Sequence, residues 1–202
     1  MHPRNEARFR KYENSSRVPS NSTLRVLTFK TLEDKANWLD ASAGLDALRG
    51  EVQRQAKRFL AIENPEARTR AIQRWVRDNI RYQYDFRVSQ GLPGEEFADT
   101  STTCERGFGD CDDKARAFVG LMRAAEMLKP LGAIARIRPV FAKAPEDRFT
   151  HVQAEVAWPG STHLENAMGV RGWLLAELIV RGCEIGQDPD TIPKVNGQRQ
   201  II

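Results

Sequence analysis

Three residues that together can make a thiol nucleophile occur in this chain in a suggestive order. Cys111 comes first, His151 follows 40 residues later, and the carboxylate of Glu165 follows after a further 14 residues. In thiol acyl transfer a cysteine attacks a carbonyl, a histidine carries the proton, and an acid or amide orients the histidine. The order Cys111, His151 and Glu165 therefore predicts a catalytic site of this kind.

The residues around Cys111 predict that it opens a helix. A glycine-rich turn leads to Asp110, which is a good N-cap residue, and a helical pattern of apolar residues starts immediately after it. Unpaired backbone N–H groups and the helix dipole favour a thiolate at such a position. Asp112 and Asp113 oppose it, because nearby negative charge disfavours a second anion. We therefore expect His151 to supply the balancing positive charge.

The elements that carry these residues follow from hydrophobic periodicity. The helix that begins at residue 111 should stop at Lys129-Pro130, and residues 133–141 should form a strand. Alternation of apolar and polar residues predicts a half-buried strand over 151–158, followed by a turn at Pro159-Gly160. Residues 161–168 are expected to pair back on that strand, and residues 172–180 form a further apolar segment, either a strand or a short helix.

The first half of the chain predicts helices. Residues 24–29 suggest a short strand, residues 42–62 have apolar residues at helical spacing, and Asn64-Pro65 should start another helix that reaches Ile80. Residues 85–109 are rich in turn-forming residues and are expected to be a long loop. Helices followed by a run of antiparallel strands predict an α+β fold rather than alternating βαβ units.

Length and composition bound the class of protein. The chain has 202 residues, of which 41% are hydrophobic and 29% charged, so one globular domain is expected. We predict a basic polar arm over 1–23, a domain over 24–186 and a polar tail over 187–202. Apolar runs are too short to span a membrane, the N-terminus lacks the features of a secretory signal, and the three cysteines do not suggest a disulfide framework. These features predict a reducing, cytoplasmic location.

Positive charge is concentrated near the N-terminus. The net charge is +4, and residues 1–22 hold +3 of it, with five Lys or Arg residues against two acids. Such an arm can contact an acidic protein surface or, less specifically, nucleic acid. Polar arms become ordered when something holds them. We therefore expect a protein partner or a second copy of the chain to order the two terminal segments.

Three segments together resemble the transglutaminase-like superfamily. They are Arg74-Trp75-Val76-Arg77-Asp78-Asn79-Ile80-Arg81-Tyr82, Gly109-Asp110-Cys111-Asp112-Asp113-Lys114-Ala115 and His151-Val152-Gln153-Ala154-Glu155-Val156. The resemblance covers roughly residues 45–180. It implies a papain-like fold in which a helix bearing the nucleophile packs on an antiparallel sheet bearing histidine and acid. Members include transglutaminases, thiol proteases, peptide N-glycanases and inactive proteins, and small stand-alone members resemble proteins found among bacteriophage structural genes.

The third member of the site departs from the family pattern. The family generally has an Asp after an apolar residue in the strand that follows the histidine, and Leu164-Glu165-Asn166 occupies that place here. Glu165 matches best, whereas Asn166 would resemble the papain arrangement. The register of the expected hairpin decides between them, because a slip of one residue exchanges the faces of the strand.

Other sites are less well supported by the sequence. Cys104, Cys111, His151 and Cys183 lack the paired spacing of zinc ligands, and the aspartates near residue 111 lack the rest of a calcium loop. We therefore predict no metal and no cofactor. His163 is a weaker rival to His151, because it lies beyond the expected turn. Cys104 is expected in an exposed loop and Cys183 in the core.

Two functions of different classes remain open at this stage. The first is a cysteine-dependent enzyme, a protease, an amidase or a transglutaminase, that acts on a peptide or carboxamide. The second is a structural or adaptor subunit of a larger assembly, such as a virion, on the same scaffold with little or no activity. Its motivation is the basic arm and the polar tail.

Overall fold

The computed structural model describes residues 10–12, 24–27, 29–85, 94–140, 151–161 and 172–187. The helices are α1 (Leu32–Ala47), α2 (Gly50–Ala56), α3 (Pro65–Asn79), α4 (Thr100–Arg106) and α5 (Cys111–Leu128), with a short 3-10 helix at Lys57–Phe59. The strands are β1 (Arg10–Tyr12), β2 (Leu24–Leu27), β3 (Arg81–Tyr82), β4 (Glu95–Phe97), β5 (Phe108–Gly109), β6 (Ile134–Val140), β7 (His151–Ala157) and β8 (Leu174–Ala176). This mixture of helices and small sheets confirms the α+β prediction.

Three small sheets accompany the helices. The first has the antiparallel order β1-β2-β4, the second is the parallel pair β3-β5, and the third has the antiparallel order β6-β7-β8. Strand β1 lies within the segment predicted to be an arm, and its pairing with β2 joins that part of the arm to the domain. The other predicted arm residues and nearly all of the predicted tail lie outside the described residues.

Helix α5 is the centre of the core. Every residue from Asp112 to Met122 is buried, and the helix contacts α1, α2, α3 and α4 as well as β6 and β7. The predicted start and end are confirmed, because Asp110 accepts hydrogen bonds from the backbone N–H groups of Asp112 and Asp113 at 3.0 and 3.1 Å, and the helix ends before Pro130. A helix buried on all sides fixes its N-terminal residue firmly against the sheet.

A buried ion pair ties α1 to α5 and α4. Asp46 accepts hydrogen bonds from Nε and Nη2 of Arg116 at 2.8 and 3.0 Å. The same carboxylate also accepts from the backbone N–H and the hydroxyl of Thr100 at 3.0 and 2.9 Å. Because several donors satisfy the charge, the pair is compatible with burial of Asp46.

The single helix predicted over 42–62 is wrong. Helix α1 begins ten residues earlier, where Thr31 accepts a hydrogen bond from the Asp34 N–H, and it ends at Ala47. Leu45 and Leu48, which were expected to line the buried stripe, are 67% and 60% exposed. The chain breaks at this point and restarts as α2, so two faces of different orientation replace one continuous stripe.

The long loop predicted over 85–109 is wrong for the part that the structure describes. Residues 94–109 contain β4, α4 and β5. Asp99 starts α4 by accepting a hydrogen bond from the Thr102 N–H at 2.8 Å, and Gly107 ends it with a positive φ of 68°. Local capping and tertiary packing outweigh the low helix propensity of the threonines in this segment.

The hairpin predicted between 151–158 and 161–168 is also wrong as a pairing. One edge of β7 pairs with β6, with Ala154 opposite Ile137, and the other edge pairs with β8, with Ala154 opposite Ala176. Strand β8 therefore occupies the edge of β7 that the predicted hairpin required over residues 154–156. Residues 162–168 of that hairpin lie outside the described residues. The turn at Pro159-Gly160 is confirmed.

Candidate active site

The fold places Cys111 at the first position of α5. Asp110 precedes it in an extended conformation and caps the helix, and the thiol is half-buried. Tertiary packing and capping therefore present the sulfur at a helix N-terminus, as the sequence predicted.

A parallel strand pair fixes the approach to Cys111. The backbone N–H of Arg81 donates to the carbonyl of Gly107 at 2.8 Å, and that of Gln83 donates to Gly109 at 2.9 Å. Gly109 also approaches the start of the helix closely, since a Cβ added there would lie 2.6 Å from Cβ of Asp113. The glycine-rich turn thus allows the segment before the nucleophile to lie between β3 and α5.

His151 is the first residue of β7, as the sequence predicted. The backbone pairs His151 with Val140 of β6, and its side chain is outside what the structure describes. The next residues along β7, Val152 and Gln153, line the same pocket as Cys111. The fold therefore brings the strand that begins with His151 to the nucleophile.

The pocket beside Cys111 is small and lies between α5 and the β6-β7-β8 sheet. Its cavity volume is about 10 Å³, which is room for about one water molecule. Its lining residues come from the helix and from two strands with the segment after them: Cys111, Ala115, Val152, Gln153, Ala154, Ala176, Glu177, Leu178 and Ile179. The thiol therefore borders a narrow cleft between the helix and the sheet.

Glu177 is a carboxylate of this pocket that the sequence analysis missed. It directly follows β8, and its Oε1 accepts hydrogen bonds from the backbone N–H groups of Ile179 and Val180 at 2.7 and 3.1 Å. Continuing the β7–β8 register by one pair beyond Ala154–Ala176 puts Glu177 opposite Gln153. The signal was available, since Glu177 is the one acid within the apolar segment 172–180, but the expected hairpin favoured residue 165.

Glu165, Asn166 and His163 all lie outside the described residues. The pairing that was used to choose between Glu165 and Asn166 does not form along β7, because β8 occupies that edge. Their roles therefore remain predictions without the register argument that supported them.

A buried ionic cluster lies behind Cys111. The Nζ atom of Lys35 lies 2.5 Å from Oδ2 of Asp112 and 2.5 Å from Oε2 of Glu95. The Cys111 thiol contacts Oδ1 of the same Asp112 at 3.7 Å, a distance within reach of an S–H···O hydrogen bond. The sequence suggested that Asp112 is close to the thiol, but only the fold brings Lys35 and Glu95 to it.

Among the residues that the structure describes, those around Cys111 disfavour the thiolate form of its side chain. Burial raises the pKa of the Cys111 thiol well above its usual value, and the carboxylates of Asp112 and Asp110 raise it further, while Lys35 lowers it. The expectation that the helix terminus would favour the thiolate is therefore opposed by burial and by two aspartates. A further positive group beside the sulfur would lower the pKa of the thiol.

Lys114 lies one turn after Cys111 and is fully buried. Its ammonium group donates hydrogen bonds to the carbonyls of Arg77 and Ile80 at the end of α3, at 3.4 and 2.5 Å. Burial lowers the pKa of Lys114 to about 8, against an opposing contribution from Glu177. This lysine holds the end of α3 on the nucleophile helix and is electrostatically coupled to the pocket acid.

The other two cysteines are not at this site. Cys104 is on α4, not in an exposed loop as predicted, and burial raises the pKa of its thiol to about 12. Cys183 is buried, as predicted. Cys111 lines the pocket between α5 and the sheet.

We assign no metal to the acidic residues around Cys111. Ligand-type atoms of Asp110, Cys111 and Asp112 lie within 4.8 Å of one another. Asp110 already caps the helix, however, and Asp112 already pairs with Lys35. These contacts within the protein explain why the three residues lie close together.

One family model matches the chain. The model of the transglutaminase-like superfamily matches residues 53–165, which are 113 of the 202 residues and include Cys111 and His151. No curated protein and no solved structure matches the chain significantly. Over the part of the chain that the structure describes, no helix has the length and hydropathy needed to span a bilayer.

Proposed function

The chain belongs to the transglutaminase-like superfamily, and from that premise we propose that it is an enzyme of cysteine-dependent acyl transfer on a peptide or carboxamide. The observation that carries the proposal is the pocket in which Cys111, at a helix N-terminus, faces β7 just after His151. The helix supplies the nucleophile and the sheet supplies the base, which is the division of roles that thiol acyl transfer requires.

The proposed reaction has two steps. His151 takes the proton from Cys111, the sulfur attacks the carbonyl carbon, and the carbon–nitrogen bond breaks as His151 returns the proton to the leaving amine. Water then attacks the thioester to give hydrolysis, or a primary amine attacks it to give a new amide. Either acceptor restores the thiol. The backbone N–H of Cys111, at the first helical position, is the proposed donor to the developing oxyanion.

For the acid that orients His151 we propose Glu177 ahead of Glu165. Glu177 lines the pocket of Cys111, and two backbone N–H groups hold one of its oxygens. These hydrogen bonds hold the carboxylate in place, and a fixed carboxylate can accept from an imidazole N–H and orient the ring. Glu165 keeps the support of the family pattern alone.

The proposal is tested by alkylation of Cys111 with iodoacetamide as a function of pH. The protein carries Cys104→Ala and Cys183→Ala, so that only one thiol reacts, and is compared with and without His151→Ala. We expect a reaction that is at least about tenfold slower without His151 near neutral pH, because no base then takes the proton from the thiol. His163→Ala is the matched control and should leave the rate unchanged.

A rate that rises only near pH 8–9 and does not depend on His151 would overturn the proposal. If the dependence on His151 is found, incorporation of a fluorescent primary amine into a casein substrate measures transfer, and ammonia released when no amine is added measures hydrolysis of carboxamides. Cys111→Ala should abolish both signals.

The second candidate is a structural or adaptor subunit on the same scaffold. It is favoured by the described surroundings of Cys111, in which burial and two aspartates raise the pKa of the thiol. In that role the basic N-terminal segment would bind a protein partner or a second copy of the chain. Light scattering coupled to size exclusion, with residues 1–9 present or removed, would show a change of mass if this segment mediates self-association.

A further inference from the structure

Asp112 is held in one position by a cation and is nearly inaccessible to solvent. It is 1% exposed, and its Oδ2 lies 2.5 Å from Nζ of Lys35. Lys35 comes from α1, is itself 9% exposed, and also lies 5.6 Å from the centre of the Phe97 ring. Burial raises the pKa of Asp112, and Lys35 opposes that rise. A carboxylate paired in this way also stays oriented, because a water molecule cannot easily replace its partner.

The second oxygen of Asp112 is directed to the nucleophile. Its Oδ1 lies 3.7 Å from Sγ of Cys111, and the contact has the geometry of a thiol hydrogen bond. A carboxylate accepts hydrogen bonds and donates none, so the contact is favourable when the sulfur carries its proton and unfavourable when it does not. The two oxygens of one carboxylate therefore have separate partners, Lys35 and the thiol.

We propose that Asp112, fixed by Lys35, is a positioning residue that holds the Cys111 thiol protonated in the resting protein by accepting its hydrogen. This inference rests on the proposed function only in taking Cys111 as the nucleophile. Its consequence is a latent thiol, resistant to oxidants and alkylating agents, which becomes reactive when a stronger acceptor such as His151 takes the proton.

Among the residues that the structure describes, the charged groups around Asp112 come from four elements. Lys35 on α1 is the cation, Glu95 on β4 shares that cation, and Tyr82 on β3 lies within electrostatic reach. Asp110, which caps α5, and Asp113 on its first turn complete the set with Cys111 itself. One lysine faces several acids, and burial raises the pKa of Glu95. Removal of the charge on Asp112 therefore relieves repulsion at the sulfur instead of leaving an excess of positive charge.

The test is Asp112→Asn in the full chain with Cys104→Ala and Cys183→Ala. The asparagine has the same shape, can still accept from Lys35 through its carbonyl oxygen, and can donate to the sulfur through its amide. We expect the midpoint of the alkylation rate against pH to fall by at least about one pH unit, since adjacent charges typically shift a pKa by about one to three units. Well below the midpoint the thiolate fraction then rises at least about tenfold.

Asp113→Asn is the matched control. It removes the same charge from the next residue of the helix, but Asp113 pairs with Arg106 and accepts from the Ala98 N–H and does not contact the sulfur. Its midpoint should move by less than half as much as that of Asp112→Asn. Equal shifts in the two variants, or a midpoint that stays or rises in Asp112→Asn, would overturn the inference.

A second measurement covers the case in which Asp112→Asn does not fold. Raman spectroscopy of the protein with Cys111 as its single cysteine reports the S–H stretch, which moves to lower frequency when the thiol donates a hydrogen bond. We expect a single lowered band near neutral pH, and a band at the frequency of a free thiol, or no S–H band, would contradict the inference.

These readouts separate the inference from the proposed function. The midpoint and the S–H band report on the thiol whether or not any substrate is turned over. An effect of Asp112→Asn without an effect of His151→Ala would support the positioning role and overturn the enzyme proposal. The reverse pattern would leave the enzyme proposal standing and remove the role of Asp112.

Discussion

Gly109→Ala is a sharp test of how the fold positions the nucleophile. Gly109 ends β5, two residues before Cys111, and pairs with Tyr82 of β3. An alanine Cβ at this position would lie 2.6 Å from Cβ and 3.0 Å from Oδ2 of Asp113. Cβ of Asp113 is attached to the helix backbone and cannot rotate away. The first turn of α5 must therefore move to accommodate the methyl group.

The size of the effect follows from this distance. Ordinary contact begins at 3.4 Å, so the gap between strand and helix must open by about 0.8 Å. Overpacking of this kind lowers the free energy of unfolding by about 1–3 kcal/mol. In a chain of this size, each kcal/mol lowers the midpoint of thermal unfolding by about 2–4 °C. A misplacement near 1 Å can reduce catalysis by about 100-fold, because the reacting groups lose alignment.

The assay is urea unfolding followed by circular dichroism, together with alkylation of Cys111 in the protein that lacks the other two cysteines. Gly50→Ala is the control, since no atom lies within 4 Å of a Cβ added there. The control should be neutral or slightly stabilised, by less than about 1 kcal/mol, because alanine favours a helix over glycine. If Gly109→Ala unfolds at the wild-type urea concentration and reacts at the wild-type rate, close packing at Gly109 does not position the nucleophile.

Three further predictions concern charged groups. Asp46→Ala should lower the free energy of unfolding by about 3–5 kcal/mol in urea titrations, because Arg116 is left buried without a counterion. Lys114 has a lowered pKa of about 8, so the unfolded chain binds more protons than the folded one between about pH 8 and 10.5. Stability should therefore rise with pH across that window, by up to about 1.4 kcal/mol per pH unit from this group, and Lys114→Met should remove this part of the rise. Glu177→Gln should slow His151-dependent alkylation by about tenfold or more, whereas Glu165→Gln should leave it unchanged.

Each of these predictions has a control or a contrary outcome. Glu63→Ala removes an acid whose pair with Lys129 is on the surface, and should leave the urea midpoint unchanged. An identical pH dependence of stability in wild type and Lys114→Met would show that Lys114 remains charged when folded. If only Glu165→Gln slows the alkylation, then Glu165, which the family pattern suggested, is the acid that orients His151.

Features that depend on interactions between residues close in the chain were predicted from the sequence, and features that depend on distant residues were not. The start of α3 at Asn64-Pro65 and the start of α5 at Asp110 were predicted, because capping depends on side chains within three residues. The end of α1 was not predicted. Apolar residues at Leu45 and Leu48 keep helical spacing, yet nothing local shows that they point to solvent rather than to the core.

The sequence by itself determined the α+β class, the helix that opens with Cys111, the strand that opens with His151, and the family. These depend on local periodicity, capping and motif spacing. Only the tertiary structure decided which strand pairs with the free edge of β7, because strand pairing joins residues far apart in the chain and any apolar segment can compete for the edge. That pairing brings Glu177 to the pocket. Burial likewise depends on the whole fold. The fold places Lys35 beside Asp112, and burial together with these two residues shifts the pKa of the Cys111 thiol.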